Sequence, residues 1–196
     1  IGSEFHSGGL DKTTRGRGVT VIFGDGAGAA ILSRSEDENR GILSSHLHSE
    51  GKHARELTVE APSIAHWVPQ IMEDNDPDDE SYYPYMNGTF VFKHAISRFS
   101  EVILEGLEKN NLQTTDIDML IPHQANLRIA QFIQKKFKLS DDQVFNNIMK
   151  YGNTTAASVI IALTEAFSEG KIKEGDLVVL AAFGSGFTWG SVIMRW

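Results

Sequence analysis

The 196-residue chain contains no cysteine. Disulfide bonds, thiolate metal sites and a cysteine nucleophile are therefore excluded within these residues. Basic residues are outnumbered: 18 Lys and Arg stand against 26 Asp and Glu, for a formal net charge of −8. A nucleic-acid-binding protein normally needs a basic surface to displace the counterions of the phosphates, so that class of function is disfavoured.

Long apolar runs are missing as well. No stretch approaches the roughly 18–20 residues of a membrane span, and residues 1–10 lack the basic start and hydrophobic centre of a targeting segment. We therefore predict a cytoplasmic protein that does not act in a membrane. The chain opens on Ile1 in what looks like the middle of a fold, and we interpret it as a fragment of a longer protein.

The first 48 residues predict three strands and a glycine-rich turn. The β-branched run 19–23 predicts a strand that ends at the glycine cluster 24–28, and the apolar segment 29–32 resumes as a second strand. A polar patch then precedes a third strand over 41–48. Residues 24–29 also fit a loose G-x-G-x-x-A nucleotide fingerprint, but too few residues follow for the helix that this fingerprint requires, so a tight turn is favoured.

The rest of the chain alternates helices with buried strands. Helices are predicted at about 89–110, 127–137 and 154–168, the last closed by Gly170, and strands at 118–121, 177–182 and 187–195. This alternation predicts an α/β layered fold. Six of the eight residues 73–80 are acidic, and they favour a solvated loop because they lack the ligand spacing of a calcium loop. His46 and His48 share one face of a strand, but no third metal ligand is evident.

Three short segments place polar residues or glycine where buried elements end. His123, in Pro122-His123-Gln124-Ala125-Asn126, follows a buried strand, and ligands tend to bind at the carboxyl ends of strands in such folds. Asn153 stands at the entry to a predicted helix, where a cap is the ordinary role. Gly184-Ser185-Gly186 forms a turn whose backbone amides can face a developing oxyanion. Each segment taken alone favours a structural role.

Taken together and in this order, the three segments closely resemble the ketoacyl-acyl-carrier-protein synthase III family of bacterial fatty-acid synthesis, within the thiolase-fold superfamily. The spacing of His123 and Asn153 fits the family, and residues 23–29 and Ser45-His46-Leu47-His48 are also similar to it. The resemblance implies a thiolase-like layered αβαβα fold. Residues 1–40 would then end the N-terminal half, and residues 41–196 would form the C-terminal half.

The resemblance also implies an acyltransferase. In the family a cysteine accepts an acyl group from acyl-CoA, and malonyl-acyl-carrier protein then loses CO2 and attacks the thioester. His123 and Asn153 match the two residues that hydrogen-bond the malonyl carbonyl, where neutral donors stabilise an enolate. CoA and phosphopantetheine thioesters are thus expected as substrates, acyl-carrier protein and a second copy of the chain as partners, and no metal or covalently bound cofactor.

Further positions match the family residue by residue. Ser185 matches the residue whose amide completes the oxyanion hole, and Phe183 matches a phenylalanine beside it. The segment associated with acyl-carrier protein corresponds to Gln124, Ala125, Asn126, Leu127 and Arg128. The positions associated with CoA and pantetheine correspond to Arg17, Met86, Gly88 and Asn126.

The departure from the family pattern is the missing cysteine nucleophile, which lies upstream of the matched segment in the family. The fragment is therefore expected to be inactive by itself. Two alternatives stay open at this point: a thiolase-fold synthase that condenses other acyl groups, or a non-catalytic thiolase-fold subunit that supports an active partner. The His123 and Asn153 pair favours the enzyme over the non-catalytic subunit.

Overall fold

A computed structural model describes residues 1–61 and 79–196. In these ranges the strands are β1 (Gly2–Glu4), β2 (Gly26–Gly28), β3 (Gly41–Ser49), β4 (Leu57–Thr58), β5 (Tyr85–Met86), β6 (Met119–Pro122), β7 (Leu177–Gly184) and β8 (Thr188–Arg195). The helices are α1 (Arg17–Thr20), α2 (Gly88–Lys109), α3 (Leu127–Phe137), α4 (Ile148–Tyr151) and α5 (Ala157–Ser168). Short 3₁₀ segments lie at Gly51–Glu56, Glu80–Tyr82, Thr114–Asp116 and Asp141–Gln143.

The central sheet has four strands in the order β3-β8-β7-β6. Strand β8 is antiparallel to both neighbours, whereas β6 and β7 are parallel. Successive side chains of a strand point to opposite faces, and β7 follows this rule: Val179 and Ala181 pack into one apolar cluster, and Val178 packs into the other. Both faces of the sheet are therefore covered, which explains why β7 is a continuous apolar run.

Helices α2 and α3 cover one face of the sheet, and α5 covers the other. The two-stranded sheet β1-β2 packs on the far side of α5. The described layers are thus helix, sheet, helix and sheet. Among the described helices, none is both long enough and apolar enough to cross a membrane.

Most of the predicted elements after residue 40 are confirmed. The helices predicted at 89–110 and 127–137 are α2 and α3, and the strands predicted at 41–48, 118–121, 177–182 and 187–195 are β3, β6, β7 and β8. Helix α5 begins three residues later than predicted, and Gly170 follows it with φ +69°, the left-handed conformation expected after a helix. The larger part of the acidic run, 73–78, lies outside the described residues.

The predictions for residues 19–23 and 29–32 are wrong. Residues 17–20 form the short helix α1. The next residues are a turn in which Phe23 forms an isolated bridge with Asn153, outside any strand. No strand is assigned at 29–32, where Ile31 is 95% exposed. Strand propensity depends on neighbouring strands to pack and pair with, and the described residues offer none to these two segments.

Candidate active site

A cleft of about 1330 Å³ opens beyond the carboxyl ends of β6 and β7. Many of the residues singled out in the sequence line it: His123, Asn153, Ser185, Phe183, Ala125, Asn126, Arg128, Met86 and Gly88. Residues from the first part of the chain, including His6, Ile22 and Phe23, complete its wall. His123 and Asn153 therefore line one cleft together with the turn at Ser185.

His123 follows directly on β6, and its backbone N–H donates to the carbonyl of Ala181 at 2.7 Å. This bond continues the parallel pairing of β6 and β7 by one residue and so fixes where the imidazole starts. The ring Nδ1 lies 2.6 Å from Oγ of Ser158 on α5. Part of His123 faces the cleft, but the ring is otherwise surrounded by protein. This burial lowers the pKa of His123 to about 4. The imidazole is thus neutral at physiological pH.

Asn153 is held by the first part of the chain through its backbone. Its N–H donates to the carbonyl of Ile22 at 2.8 Å, and its carbonyl accepts from the N–H of Gly24 at 3.0 Å. Its side-chain Oδ1 accepts from the N–H of Thr155 at 2.8 Å, an Asx turn rather than the helix cap that is usual at such a position. Because Oδ1 is engaged, the side-chain NH2 group is the part of Asn153 that remains for a ligand.

The glycine cluster allows two backbone segments to approach each other closely. A Cβ added at Gly24 would collide with the carbonyl oxygen of Tyr151. On the facing segment, Gly152 has φ +70°, in the region that favours glycine. The motif at 24–29 therefore brings the first part of the chain against the Asn153 loop. No helix follows it in the described structure to hold a pyrophosphate. The tight turn between strands that was favoured instead is also wrong, because Gly26–Gly28 is itself strand β2.

The turn between β7 and β8 forms another wall of the cleft. Phe183 is buried and makes an edge contact with Phe187, with ring centroids 4.9 Å apart. Ser185 is exposed at the turn, and its carbonyl accepts from the hydroxyl of Thr188 at 3.0 Å. The backbone N–H of Ser185 has no acceptor within the described ranges, so it is free to donate to a ligand in the cleft.

The segment matched to carrier-protein binding divides in the structure. Ala125, Asn126 and Arg128 line the cleft, and Asn126 also caps α3 by accepting from the N–H of Arg128 at 2.9 Å. Leu127 begins α3 and does not line the cleft.

Gln124 requires a correction. It is buried, its Nε2 donates to the carbonyl of Pro122 at 2.8 Å, and its Oε1 accepts from the N–H of Asn147 at 2.9 Å. Its side chain is fully engaged in holding two loops together, so the expectation that it contacts acyl-carrier protein is wrong.

Two further groups of polar residues were singled out in the sequence, and of these only His48 lines the cleft. Arg17 is exposed on α1 and does not line the cleft. His46 and His48 do share one face of β3, and both contact Glu105 of α2, with His48 Nε2 at 2.6 Å and His46 Nδ1 at 3.4 Å from the carboxylate. Within the described residues no group of three or more His, Cys, Asp or Glu side chains is arranged to hold a metal ion.

Two residues that support the site residues from the adjoining helix were not identified from the sequence. Ser158 contacts the imidazole of His123, and Glu165 on α5 accepts from Asn147 Nδ2 at 2.8 Å and from the hydroxyl of Tyr151 at 2.9 Å. Tyr151 lies two residues before Asn153, so Glu165 steadies the loop that carries it. No periodicity or motif in the sequence distinguishes these two residues from other polar positions of the helix.

Two family models match the chain. Residues 107–196 match the model described as 3-oxoacyl-[acyl-carrier-protein] synthase III C terminal, and residues 1–51 match the model described as 3-oxoacyl-[acyl-carrier-protein] synthase III. Both matches contain residues of the site, since His123 and Asn153 fall in the first and Ile22 and Gly24 in the second.

Curated relatives carry the same description. The chain is 43% identical over 195 residues to the beta-ketoacyl-[acyl-carrier-protein] synthase III of Actinobacillus pleuropneumoniae, an alignment that covers 100% of this chain and 57% of the relative. It is 46% identical over 179 residues to the protein of that name from Salmonella paratyphi B, covering 91% of this chain and 52% of the relative. The chain therefore spans about half the length of the curated relatives that it matches.

Solved structures agree in fold. The crystal structure of 3-oxoacyl-[acyl-carrier-protein] synthase III from Aquifex aeolicus has a TM-score of 0.85 at 39% identity, covering 100% of this chain and 56% of that protein. The corresponding enzyme of Pseudomonas aeruginosa also has a TM-score of 0.85, at 34% identity and the same coverage. The predicted thiolase-like α/β fold is thereby confirmed.

Proposed function

The chain belongs to the 3-oxoacyl-[acyl-carrier-protein] synthase III family, and on that premise we propose that it supplies the decarboxylating side of a condensing enzyme's active site. The observation that carries the proposal is the pair of neutral donors in one cleft. His123 is uncharged at neutral pH, and Asn153 keeps its side-chain NH2 group available. Neutral donors stabilise a developing enolate oxygen without supplying a proton to the enolate carbon.

The proposed reaction starts from a malonyl thioester whose carbonyl oxygen faces His123 and Asn153. The bond between the α-carbon and the carboxylate breaks, CO2 leaves, and the electron pair moves onto the carbonyl oxygen as an enolate. The enolate carbon then attacks the carbonyl of an acyl group held as a thioester on cysteine, and the cysteine thiolate leaves. We propose that the backbone N–H of Ser185, a residue that lines the cleft, supports the oxyanion of this second step.

The cysteine must come from outside the 196 residues, because they contain none. The chain spans about half the length of its curated relatives. We propose that the cysteine belongs to the other half of the enzyme. The full reaction would then join acyl-CoA, with acetyl-CoA as the expected acyl donor, to malonyl-acyl-carrier protein at the start of fatty-acid synthesis.

The substrates and partners follow the family. Arg128 is exposed where α3 begins at the cleft, which supports a proposed pairing of its guanidinium with the phosphate of phosphopantetheine or with an acidic carrier protein. Met86 and Gly88 line the same cleft, in support of a pantetheine path. A cytoplasmic location, a homodimer and the absence of a bound cofactor are proposed on family membership alone, as is CoA contact by Arg17.

The test is decarboxylation of a malonyl thioester by the protein that carries this chain together with the cysteine-bearing half. His123→Ala and Asn153→Ala should each lower kcat by roughly 100- to 1000-fold, the usual effect of removing one donor to an oxyanion. His53→Ala and Asn39→Ala serve as matched controls, because neither residue lines the cleft. Wild-type decarboxylation in both site variants would refute the proposal.

A further inference from the structure

The hydroxyl of Ser158 sits between two nitrogen atoms at the base of the cleft. Ser158 lies in the first turn of α5 and is 2% exposed. Its Oγ is 2.6 Å from Nδ1 of His123 and 3.3 Å from the backbone nitrogen of Gln124. One side chain therefore contacts both the imidazole and the residue that follows it.

A count of protons decides the direction of these bonds. The backbone N–H of Gln124 can only donate, so it occupies one lone pair of the Ser158 oxygen. The hydroxyl has a single proton, and within the described part of the chain its one acceptor at hydrogen-bond distance is Nδ1 of His123. If Nδ1 carried the imidazole proton, the buried hydroxyl proton would have no acceptor, which costs free energy.

Other helical hydroxyls show what Ser158 does not do. Ser100 donates to the carbonyl of Ile96 at 2.8 Å, and Thr164 donates to the carbonyl of Ile160 at 2.9 Å. The carbonyl four residues back is the ordinary hydrogen-bond acceptor for a hydroxyl within a helix. The Ser158 hydroxyl makes no such bond in the described structure and turns to the imidazole instead.

We propose that Ser158 is a positioning residue that holds His123 in the neutral tautomer with its proton on Nε2. With Nδ1 accepting from Ser158, the single proton of the neutral imidazole must be on Nε2. The described residues supply no hydrogen-bond partner for Nε2, and His123 lines the cleft. Nε2–H is therefore the donor presented to a ligand.

The tautomer matters for the reaction proposed above, and in this respect the inference rests on the proposed function. The other tautomer would direct the Nε2 lone pair at the enolate oxygen, which would repel that charge rather than stabilise it. Ser158 thus acts on the chemistry only through His123, and Gln124 acts only by holding Ser158 and the Asn147 loop in place.

Tautomer assignment by NMR tests the inference without any turnover. In long-range ¹H–¹⁵N correlation spectra of ¹⁵N-histidine-labelled protein, protonated and unprotonated ring nitrogens resonate far apart. The spectrum of a His123→Gln variant identifies the His123 signals among the seven histidines. We expect Nε2 protonated and Nδ1 unprotonated in the wild-type protein at neutral pH. A protonated Nδ1 in that spectrum overturns the inference before any serine variant is made.

Two serine variants extend the test. Ser158→Ala should shift both His123 nitrogen signals toward the average of the two tautomers, and Ser158→Thr, which keeps the hydroxyl, should restore the wild-type pattern. Unchanged signals in Ser158→Ala would show that another group sets the tautomer. Decarboxylation kcat should fall roughly 10- to 100-fold in Ser158→Ala, the scale known for removing residues that orient metal-binding histidines, with little change in KM.

The outcomes separate the two proposals. If His123→Ala decarboxylates at the wild-type rate, the proposed function fails whatever tautomer is found. If His123→Ala is impaired but wild-type Nδ1 is protonated, the proposed function stands and the role of Ser158 is refuted.

Discussion

Residues 1–40 and residues 79–196 are stabilised in different ways. Within the described ranges, every buried apolar side chain lies at or after Val91, and most of them form two clusters on the two faces of the central sheet. The first region instead exposes large apolar side chains, with Phe5 at 78%, Val21 at 74% and Ile31 at 95% of their surface. Among the residues that the structure describes, the second region has packing partners for its apolar side chains and the first has few.

The first region nevertheless contributes to the site. Its strands β1 and β2 approach α5 through glycines, since a Cβ at Gly2 would meet the backbone of Ala156 and one at Gly28 would meet Ile160. Such contacts fix the distance between these strands and α5. They bury little apolar area, so they add little to the stability of the fold. What the region supplies is geometric: two backbone hydrogen bonds hold Asn153 between Ile22 and Gly24. A segment can therefore shape an active site while adding little to the core.

The largest expected effect tests the energetic side of this comparison. Ile103 is completely buried on α2, and Ile103→Ala should lower the free energy of unfolding by about 2–5 kcal/mol because a cavity replaces packed methyl groups. The same substitution at exposed Ile31 should change it by less than about 0.5 kcal/mol. Urea denaturation measures both values. Equal losses in the two variants would show that the first region is part of the core after all.

A second prediction concerns the pH dependence of stability that His123 contributes within the 79–196 region. The pKa of His123 is about 4 in the folded protein and the ordinary 6.5 in the unfolded chain, so between these values the unfolded chain binds more protons. Stability should therefore fall as pH drops from about 6.5 to about 4, by up to about 3 kcal/mol from this group. Above pH 6.5 this contribution is constant.

Urea denaturation of wild-type protein and His123→Gln at about pH 7.5 and about pH 4.5 isolates the histidine, because all other titrating groups are shared. The variant should lose less stability on acidification than the wild type does. An equal loss in the two proteins would mean that His123 is not buried in its neutral form.

The smallest expected change in stability concerns the contact between the two regions. Gly24→Ala should cost about 1–3 kcal/mol, because the new methyl group would displace the Tyr151 carbonyl that faces it. The effect on decarboxylation should be larger in proportion, since the Asn153 loop moves with Tyr151. Gly18→Ala is the matched control, because no atom of the described residues lies within 4 Å of a Cβ at that position. If Gly24→Ala and Gly18→Ala behave alike, the glycine cluster does not position Asn153.

The same two regions show where sequence reasoning works. Helix α2 was predicted within a residue at each end, because its apolar residues recur at helical spacing. In the structure Asn87 also caps its start by accepting from the N–H of Phe90 at 3.3 Å. The strand predicted at 19–23 is absent, although its β-branched residues favour one, because a strand needs pairing partners that local composition does not reveal. Local sequence signals predicted an element correctly where tertiary packing favoured the same element.

The residues that do the proposed chemistry were identified from the sequence, but the residues behind them were not. His123 and Asn153 belong to motifs of recognisable order, whereas Gln124 was assigned to a surface and proved to be buried. Ser158 and Glu165 carry no local signal, because their partners lie 35 residues away at His123 and 18 residues away at Asn147.

The amino-acid sequence by itself determined the α/β class, the longer helices and strands described after residue 40 and the two residues proposed as donors, since each depends on local periodicity or on a motif. Only the tertiary structure decided that the first 40 residues hold the Asn153 loop, that Gln124 is internal and that a serine faces the imidazole. Those features rest on hydrogen bonds between segments distant in the chain, and such bonds form only when the sheet and its helices are packed.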